Sequence, residues 1–143
     1  MRIQDVIKGK SSGDVVTIAP DAAVRELVAL LAEHNIGAVV VSADGTSVDG
    51  IVSERDVVRH LQKRGAAVLD EAVSAIMTSE VQTCSPEDEL TDLEHTMTEN
   101  RFRHVPVVVD GRLAAIVSIG DVVKHRITDL QAERDQLSAY IQQ

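Results

Sequence analysis

The sequence predicts an α+β fold: two β-α-β-β-α units packed about a pseudo-twofold axis, followed by an extended C-terminal helix. Three observations carry this expectation. The two halves of the chain match each other, each half holds a pair of β-branched runs split by Asp-Gly, and an apolar stripe continues past the second copy. With 143 residues, 44% of them apolar and 26% charged, the chain has a globular balance and the length for one folding unit shared by two small halves. Phe102 and Tyr140 are the only Phe, Tyr or Trp residues, so Val, Ile, Leu and Ala must build the core.

The self-match starts by laying Thr17-Ile18-Ala19-Pro20-Asp21 on Thr83-Cys84-Ser85-Pro86-Glu87, an offset of 66. It runs through Leu27/Leu93, Glu33/Glu99, Val39/Val105 and Val41/Val107 to Asp44-Gly45/Asp110-Gly111. After Thr46 the offset becomes 65 and aligns Gly50-Ile51-Val52-Ser53-Glu54-Arg55-Asp56 with Ala115-Ile116-Val117-Ser118-Ile119-Gly120-Asp121. The one-residue slip falls in a turn.

Each element follows in order. A short strand is expected over residues 15–18, stopped by Pro20, with a counterpart in the second copy. Val24, Leu27, Val28 and Leu31 then recur at helical spacing, as do Leu90, Leu93 and Met97. Residues 38–42 and 48–53 form a hairpin around Asp44-Gly45, matched by 104–109 and 113–118 around Asp110-Gly111. A second helix begins near Asp56 or Asp121, and the first copy's helix stops at Gly65. Residues 66–77 lack the Gly, Ser and Pro of a flexible linker, and their Val68, Leu69, Val73 and Ile76 predict a helix. The resulting divisions are a first repeat over 1–65, a second over 66–126, and a helical tail over 127–143. In that tail Ile127, Leu130, Leu137 and Ile141 form an apolar stripe interrupted by Arg134.

Charge and cysteine usage exclude several functions. Fourteen Lys and Arg stand against 23 Asp and Glu, a net charge of −9 that disfavours a nucleic-acid or anionic membrane partner. The strongest apolar run, 36–41, is far too short to span a bilayer, and the first residues lack a signal-peptide core, so a soluble cytoplasmic protein is expected. Cys84 stands alone, which leaves no internal disulfide and suggests a buried, inert thiol. His34, His60, His95, His104 and His125 show no metal-binding spacing, and no GxGxxG, GxxxxGK[ST] or GxSxG motif occurs.

Two constellations remain. Ile51 and Ser53 share a strand face and Asp56 lies one turn further on, so a hydroxyl and a carboxylate converge on a space that fits a ribose. The plainer reading makes Asp56 and Asp121 helix N-caps, with Ser53 and Ser118 merely ending strands. The second constellation is Arg101-Phe102-Arg103-His104-Val105-Pro106, a dense basic cluster in an acidic chain, placed to reach a phosphate from the start of a strand. Its counterpart, Asn35-Ile36-Gly37-Ala38-Val39-Val40, carries no charge.

The repeated glycine or alanine, two apolar residues, serine, two free positions and aspartate resemble the signature of the cystathionine β-synthase (CBS) domain family in its tandem form. Ile3-Gln4-Asp5-Val6-Ile7 and Val73-Ser74-Ala75-Ile76-Met77 are similar to that family's opening. The resemblance implies a disc of paired repeats that binds an adenosyl ligand between them, with no catalysis, no metal and no required cofactor. AMP, ADP, ATP or NAD would be a regulatory ligand, signalling through a change of conformation or assembly to an effector protein. It implies ligand contacts from Thr17, Ile18, Gly37, Ala38, Val39, Ser53, Arg55 and Asp56, and from Thr83, Arg103, His104, Val105, Pro106, Ser118, Gly120 and Asp121. It also implies unequal clefts: Arg103 and His104 join Asp56, the neutral Gly37-Ala38 corner faces Asp121, and Ala115 in place of glycine crowds the second cleft. The tail stripe and the family's usual assembly imply a homodimer. The alternative is a structural interaction module with vestigial clefts.

Overall fold

Ile3 and Val6, three residues apart, bury the inner side of a first helix, α1 (Ile3–Lys8). The structure is a computed structural model and describes residues 1–8 and 15–142; residues 9–14, and Gln143 at the end of the expected tail, lie outside it. β1 (Thr17–Ile18) leads into α2 (Val24–His34), which turns its Val24, Leu27 and Leu31 inward. β2 (Ala38–Val41) is buried throughout and lies between β1 and β3 (Gly50–Ser53), parallel to the first and antiparallel to the second. α3 (Glu54–Arg64) follows β3 directly and ends at Gly65, whose φ of 74° releases the chain from the helix. The second copy supplies α4 (Leu90–Asn100), the antiparallel pair β4 (His104–Val109) and β5 (Arg112–Ser118), and α5 (Ile119–Gln142). Among the described residues, no helix is long and apolar enough to cross a membrane.

The two cores exchange their leading segments. Ile3 and Val6 of α1 join Leu90, Leu93, Met97, Val105 and Val117 in the second core, while Val68, Val73 and Ile76 join the first. The backbone repeats the exchange on both sides. Ile3 N–H donates to the Asp88 carbonyl at 3.0 Å and Leu90 N–H to that of Met1 at 3.0 Å; Val73 N–H donates to Ala22 at 2.8 Å and Val24 N–H to Glu71 at 2.9 Å. A division of the chain at residue 65 therefore separates two stretches of sequence that each complete the other's core.

Three local expectations differ from what the chain does. Residues 66–77 form two 3₁₀ helices, Gly65–Asp70 and Val73–Ala75, instead of one helix. Glu71 and Ala72 are extended between them because Ala72 pairs with Ala23, and that pairing interrupts the helical ladder. The expected first strand of the second copy shrinks to one bridge, Cys84 with Val107, and that of the first copy covers only Thr17–Ile18. The second helices begin at Glu54 and Ile119, two residues before the aspartates expected to start them.

The slip between the repeats lies where it was expected, in the hairpin connection. Residues 42–49 form a loop tied to Asp44 Oδ1, which accepts the N–H groups of Ser47 at 2.8 Å and Thr46 at 2.9 Å. Those bonds hold the Asp44 carboxyl well below the usual carboxylate range. The second copy instead extends its ladder through Val108↔Leu113 and Val109↔Arg112, with a bulge at Ala114 and a tight turn at Asp110-Gly111, where φ is 51° and 77°.

Gly50 is required by close packing. A Cβ there would sit 2.6 Å from Met77 Sδ and 2.8 Å from the Thr78 carbonyl, because β3 continues its pairing into Thr78 at Ile51. Its counterpart Ala115 lies in the second core and pairs with Val107 in the β4–β5 ladder. Gly50→Ala is expected to destabilise the fold by about 1–3 kcal/mol, read from the midpoint of chemical denaturation at unchanged slope.

Cys84 is half-buried, with its Sγ 3.7 Å from the Pro106 carbonyl oxygen it faces. Burial, with the Asp88 carboxylate second, pushes its thiol up to about 12, which keeps it protonated and unreactive at neutral pH.

Candidate ligand cleft between the repeats

The passage from β3 to α3 has no loop, so one strand end and one helix start share the same few residues. Burial alternates along β3, with Val52 inward and Ile51 and Ser53 on the partly exposed face. Ser53 is extended (φ −127°, ψ 168°) and caps α3; Asp56 occupies the third helical position. Asp56 Oδ2 accepts the Ser53 N–H at 2.8 Å and its hydroxyl at 3.1 Å, while Asp56 N–H points to Ser53 Oγ at 3.4 Å. This reciprocal capping box fixes the carboxylate through one oxygen. Asp56 Oδ1 accepts no hydrogen bond among the described residues. The second copy repeats the box, with Asp121 Oδ2 2.9 Å from both the Ser118 nitrogen and its Oγ. Serine, not aspartate, is thus the N-cap in both repeats.

Opposite Ser53 and Asp56, α4 ends in Arg101, left-handed at φ 58°, a position that turns the chain sharply into β4. Asn35 does the same at the end of α2 with φ 52°. The Arg103 carbonyl accepts the Ile119 N–H at 2.8 Å, and the Gly37 carbonyl accepts that of Glu54 at 2.9 Å, so each corner is held beside the helix start of its own repeat. The Gly37 corner also meets the other repeat: a Cβ on Gly37 would lie 3.5 Å from Glu54 Oε1 and 3.8 Å from His104 Cε1.

Between these walls lies a cleft of about 390 Å³. It gathers Gly37, Ala38, Ser53, Arg55 and Asp56 from the first repeat with Arg103 and His104 from the second. Arg59, Thr78, Asn100, Arg101 and Phe102 complete the polar and apolar lining with Ile51, Val52 and Glu54. Four guanidiniums face two carboxylates there, a local cationic excess in a chain of net charge −9. The volume lies within the range of small-molecule sites.

Other expected contacts lie elsewhere. Thr17 and Ile18 pair with Val40 and Val41, and Ile18 and Val39 are buried in the first core. Val105 is buried in the second core and Pro106 beside it in β4. Thr83 borders a separate cavity of about 90 Å³. Ser118, Gly120 and Asp121 belong to the other helix start, outside the walls of the 390 Å³ cleft. Gly37 and Ala38 stand with Asp56 in this cleft, because Ala38 pairs with Ser53 in the β2–β3 ladder. Arg59, Thr78 and Asn100 were not singled out in the sequence. For Arg59 a signal exists: it follows Arg55 by four residues and so shares its helical face. Among the described residues, no group of three or more His, Cys, Asp or Glu side chains is arranged to hold a metal ion.

The fold is shared with known proteins. The mitochondrial CBS domain-containing protein CBSX3 of Arabidopsis thaliana is 36% identical over 98% of this chain and 71% of its own. The crystal structure of a CBS-domain containing protein from Agrobacterium tumefaciens superposes with a TM-score of 0.83 at 44% identity, covering 88% of this chain and 99% of that one. A CBS domain protein from Pyrobaculum aerophilum, solved in complex with AMP, gives a TM-score of 0.72 at 26% identity over 85% and 89% of the two chains. The profile of the CBS domain matches twice, at residues 3–63 and 73–127, the same two segments that trade their leading helices and meet at the cleft, and the chain belongs to that family as a tandem pair.

Proposed function

We propose that this chain is a non-catalytic, cytoplasmic regulatory module that binds an adenine nucleotide of the AMP, ADP, ATP or NAD type in the Asp56 cleft. Binding changes the conformation or assembly of a homodimer and passes that change to an effector protein. The observation that carries the reading is the pairing across one cleft of a fixed carboxylate, Asp56, with the Arg101 and Arg103 corner. The open Asp56 Oδ1 accepts the ribose 2′- and 3′-hydroxyls, and the guanidiniums of Arg59, Arg101 and Arg103 take the phosphate by charge-assisted bonds. Ile51, Ala38 and Phe102 supply apolar surface for the base. The AMP complex of the Pyrobaculum relative supports the ligand class. The Ser53 hydroxyl that donates to Asp56 Oδ2 at 3.1 Å also faces the Asp56 N–H at 3.4 Å, so this pair is engaged in the capping box, which supports binding without turnover.

The test is a thermal-shift series with AMP, ADP, ATP, NAD and S-adenosylmethionine. A ligand at 100 times its Kd is expected to stabilise the chain by about 2.7 kcal/mol. No shift with any of them would favour the structural module, in which the capping boxes are the whole role of Ser53 and Asp56.

A further inference from the structure

Arginines outside the cleft find carboxylates, and those inside it do not. Arg2, Arg25, Arg64, Arg126 and Arg134 each stand in an ion pair, and Arg112 is the exception. Arg55, Arg59, Arg101 and Arg103 line the cleft, and among the described residues none of these guanidiniums is ion-paired or hydrogen-bonded, although Glu54 and Asp56 share the same walls. A chain with 23 Asp and Glu against 14 Lys and Arg has carboxylates to spare, so four bare guanidiniums in one place mark a site for an anion from outside. Two of them also stand where a helix disfavours them. Arg55 is the second residue of α3, beside the positive end of its dipole, and Arg59 follows one turn, about 6 Å, along the same face, so two like charges add to the dipole without compensation. The second repeat has Gly120 and Lys124 at these positions, so this arginine pair belongs to the Asp56 cleft alone.

We infer that Arg55 and Arg59 hold a second phosphate, next to one taken at the Arg101–Arg103 corner, so that the ligand of this cleft carries a phosphoanhydride, as ADP, ATP and NAD do, and not the single phosphate of AMP. This rests on the nucleotide reading above and narrows its ligand class. The count of oxygens favours two phosphates. A guanidinium fork engages two oxygens of one phosphate, and the phosphate of AMP has three to offer, so four forks on two separate walls are not filled by it. One phosphate between Arg101 and Arg103 leaves the α3 pair bare. A second, joined to the first through a bridging oxygen, meets that pair and removes the repulsion between Arg55 and Arg59. Asp56 fixes the direction of the chain: its carboxylate repels phosphate and accepts hydroxyls, which keeps the ribose at the capping box and sends the phosphates toward the arginines.

The experiment is calorimetric titration of the full chain with adenosine, AMP and ADP in the absence of divalent cations. ADP is expected to bind about 10-fold or more tightly than AMP, and Arg55→Ala/Arg59→Ala is expected to reduce that preference to about threefold or less. Arg112→Ala, at an exposed arginine outside the cleft, should leave both affinities unchanged. A second measurement needs no variant: inorganic pyrophosphate should displace bound nucleotide at lower concentration than inorganic phosphate does, and added salt should weaken ADP more steeply than AMP. Equal affinity for AMP and ADP, or a double variant that keeps the full preference for ADP, overturns the second phosphate site and leaves the nucleotide reading standing. Absence of binding by every adenine nucleotide overturns both.

Discussion

Ile3→Ala is expected to lower the stability of the whole chain by about 3 kcal/mol, with a fall of roughly 10 °C in melting temperature. Ile3 is fully buried, yet it belongs to a six-residue helix too short to persist without its docking site. Its side chain fills the core formed by Leu90, Leu93 and Met97, more than eighty residues away in sequence. Truncation leaves a cavity at the contact that ties the N-terminus to the second repeat. The loss should appear in a single cooperative transition, because the first core depends in the same way on Val68, Val73 and Ile76. Val58→Ala, on the exposed side of α3, is the control and should stay within about 0.5 kcal/mol. Should Ile3→Ala also fall within that range, the exchange of leading segments does not hold the fold together.

That exchange marks the limit of what the sequence made legible. The duplication, the hairpins, the main helices and the long C-terminal helix could all be read, because each rests on local periodicity or turn chemistry that repeats at a fixed offset. The destination of the leading segments could not. Ile3 and Val6 present the same apolar spacing whether they pack on the first repeat or the second, and the choice is set by long-range contacts such as the bridge between Arg2 and Glu89. The same long-range pairing, Ala23 with Ala72, explains why the apolar residues of 66–77 do not form one helix: the backbone between them is committed to another segment.

The cleft was legible in its chemistry more than in its geometry. Ser53, Asp56, Arg103 and His104 stood out because hydroxyl, carboxylate and basic cluster differ sharply from an acidic, aliphatic background, and all four line one cleft. That Gly37 and Ala38 join the Asp56 cleft could not be read, because strand pairing, a tertiary fact, seats that corner beside Ser53. The ambiguity between helix cap and ligand contact also has a structural origin: Asp56 lines the cleft, uses Oδ2 for the capping box and leaves Oδ1 without a hydrogen bond, so one residue type fits both readings.

Asp56→Ala is expected to weaken binding of the tightest nucleotide by roughly 10- to 150-fold, which corresponds to the loss of about 1.5–3 kcal/mol of charge-assisted contact to the ribose. The substitution also removes a capping box and so costs about 1 kcal/mol of fold stability, which by itself could lower apparent affinity. Asp121→Ala separates the two effects. Its box has nearly the same geometry, with Ser118 at 2.9 Å where Ser53 stands at 2.8 Å and 3.1 Å, so both variants lose the carboxylate half of the box and keep the serine cap. Only Asp56, however, shares its cleft with Arg59, Arg101 and Arg103. Arg103→Ala completes the set: it should weaken phosphate-bearing ligands more than adenosine, because it removes a cation and leaves the carboxylate in place. Isothermal titration of the three variants decides the matter. If Asp121→Ala abolishes the tight phase while Asp56→Ala preserves it, the nucleotide binds at the other helix start, and the arginine-lined cleft serves some other ligand.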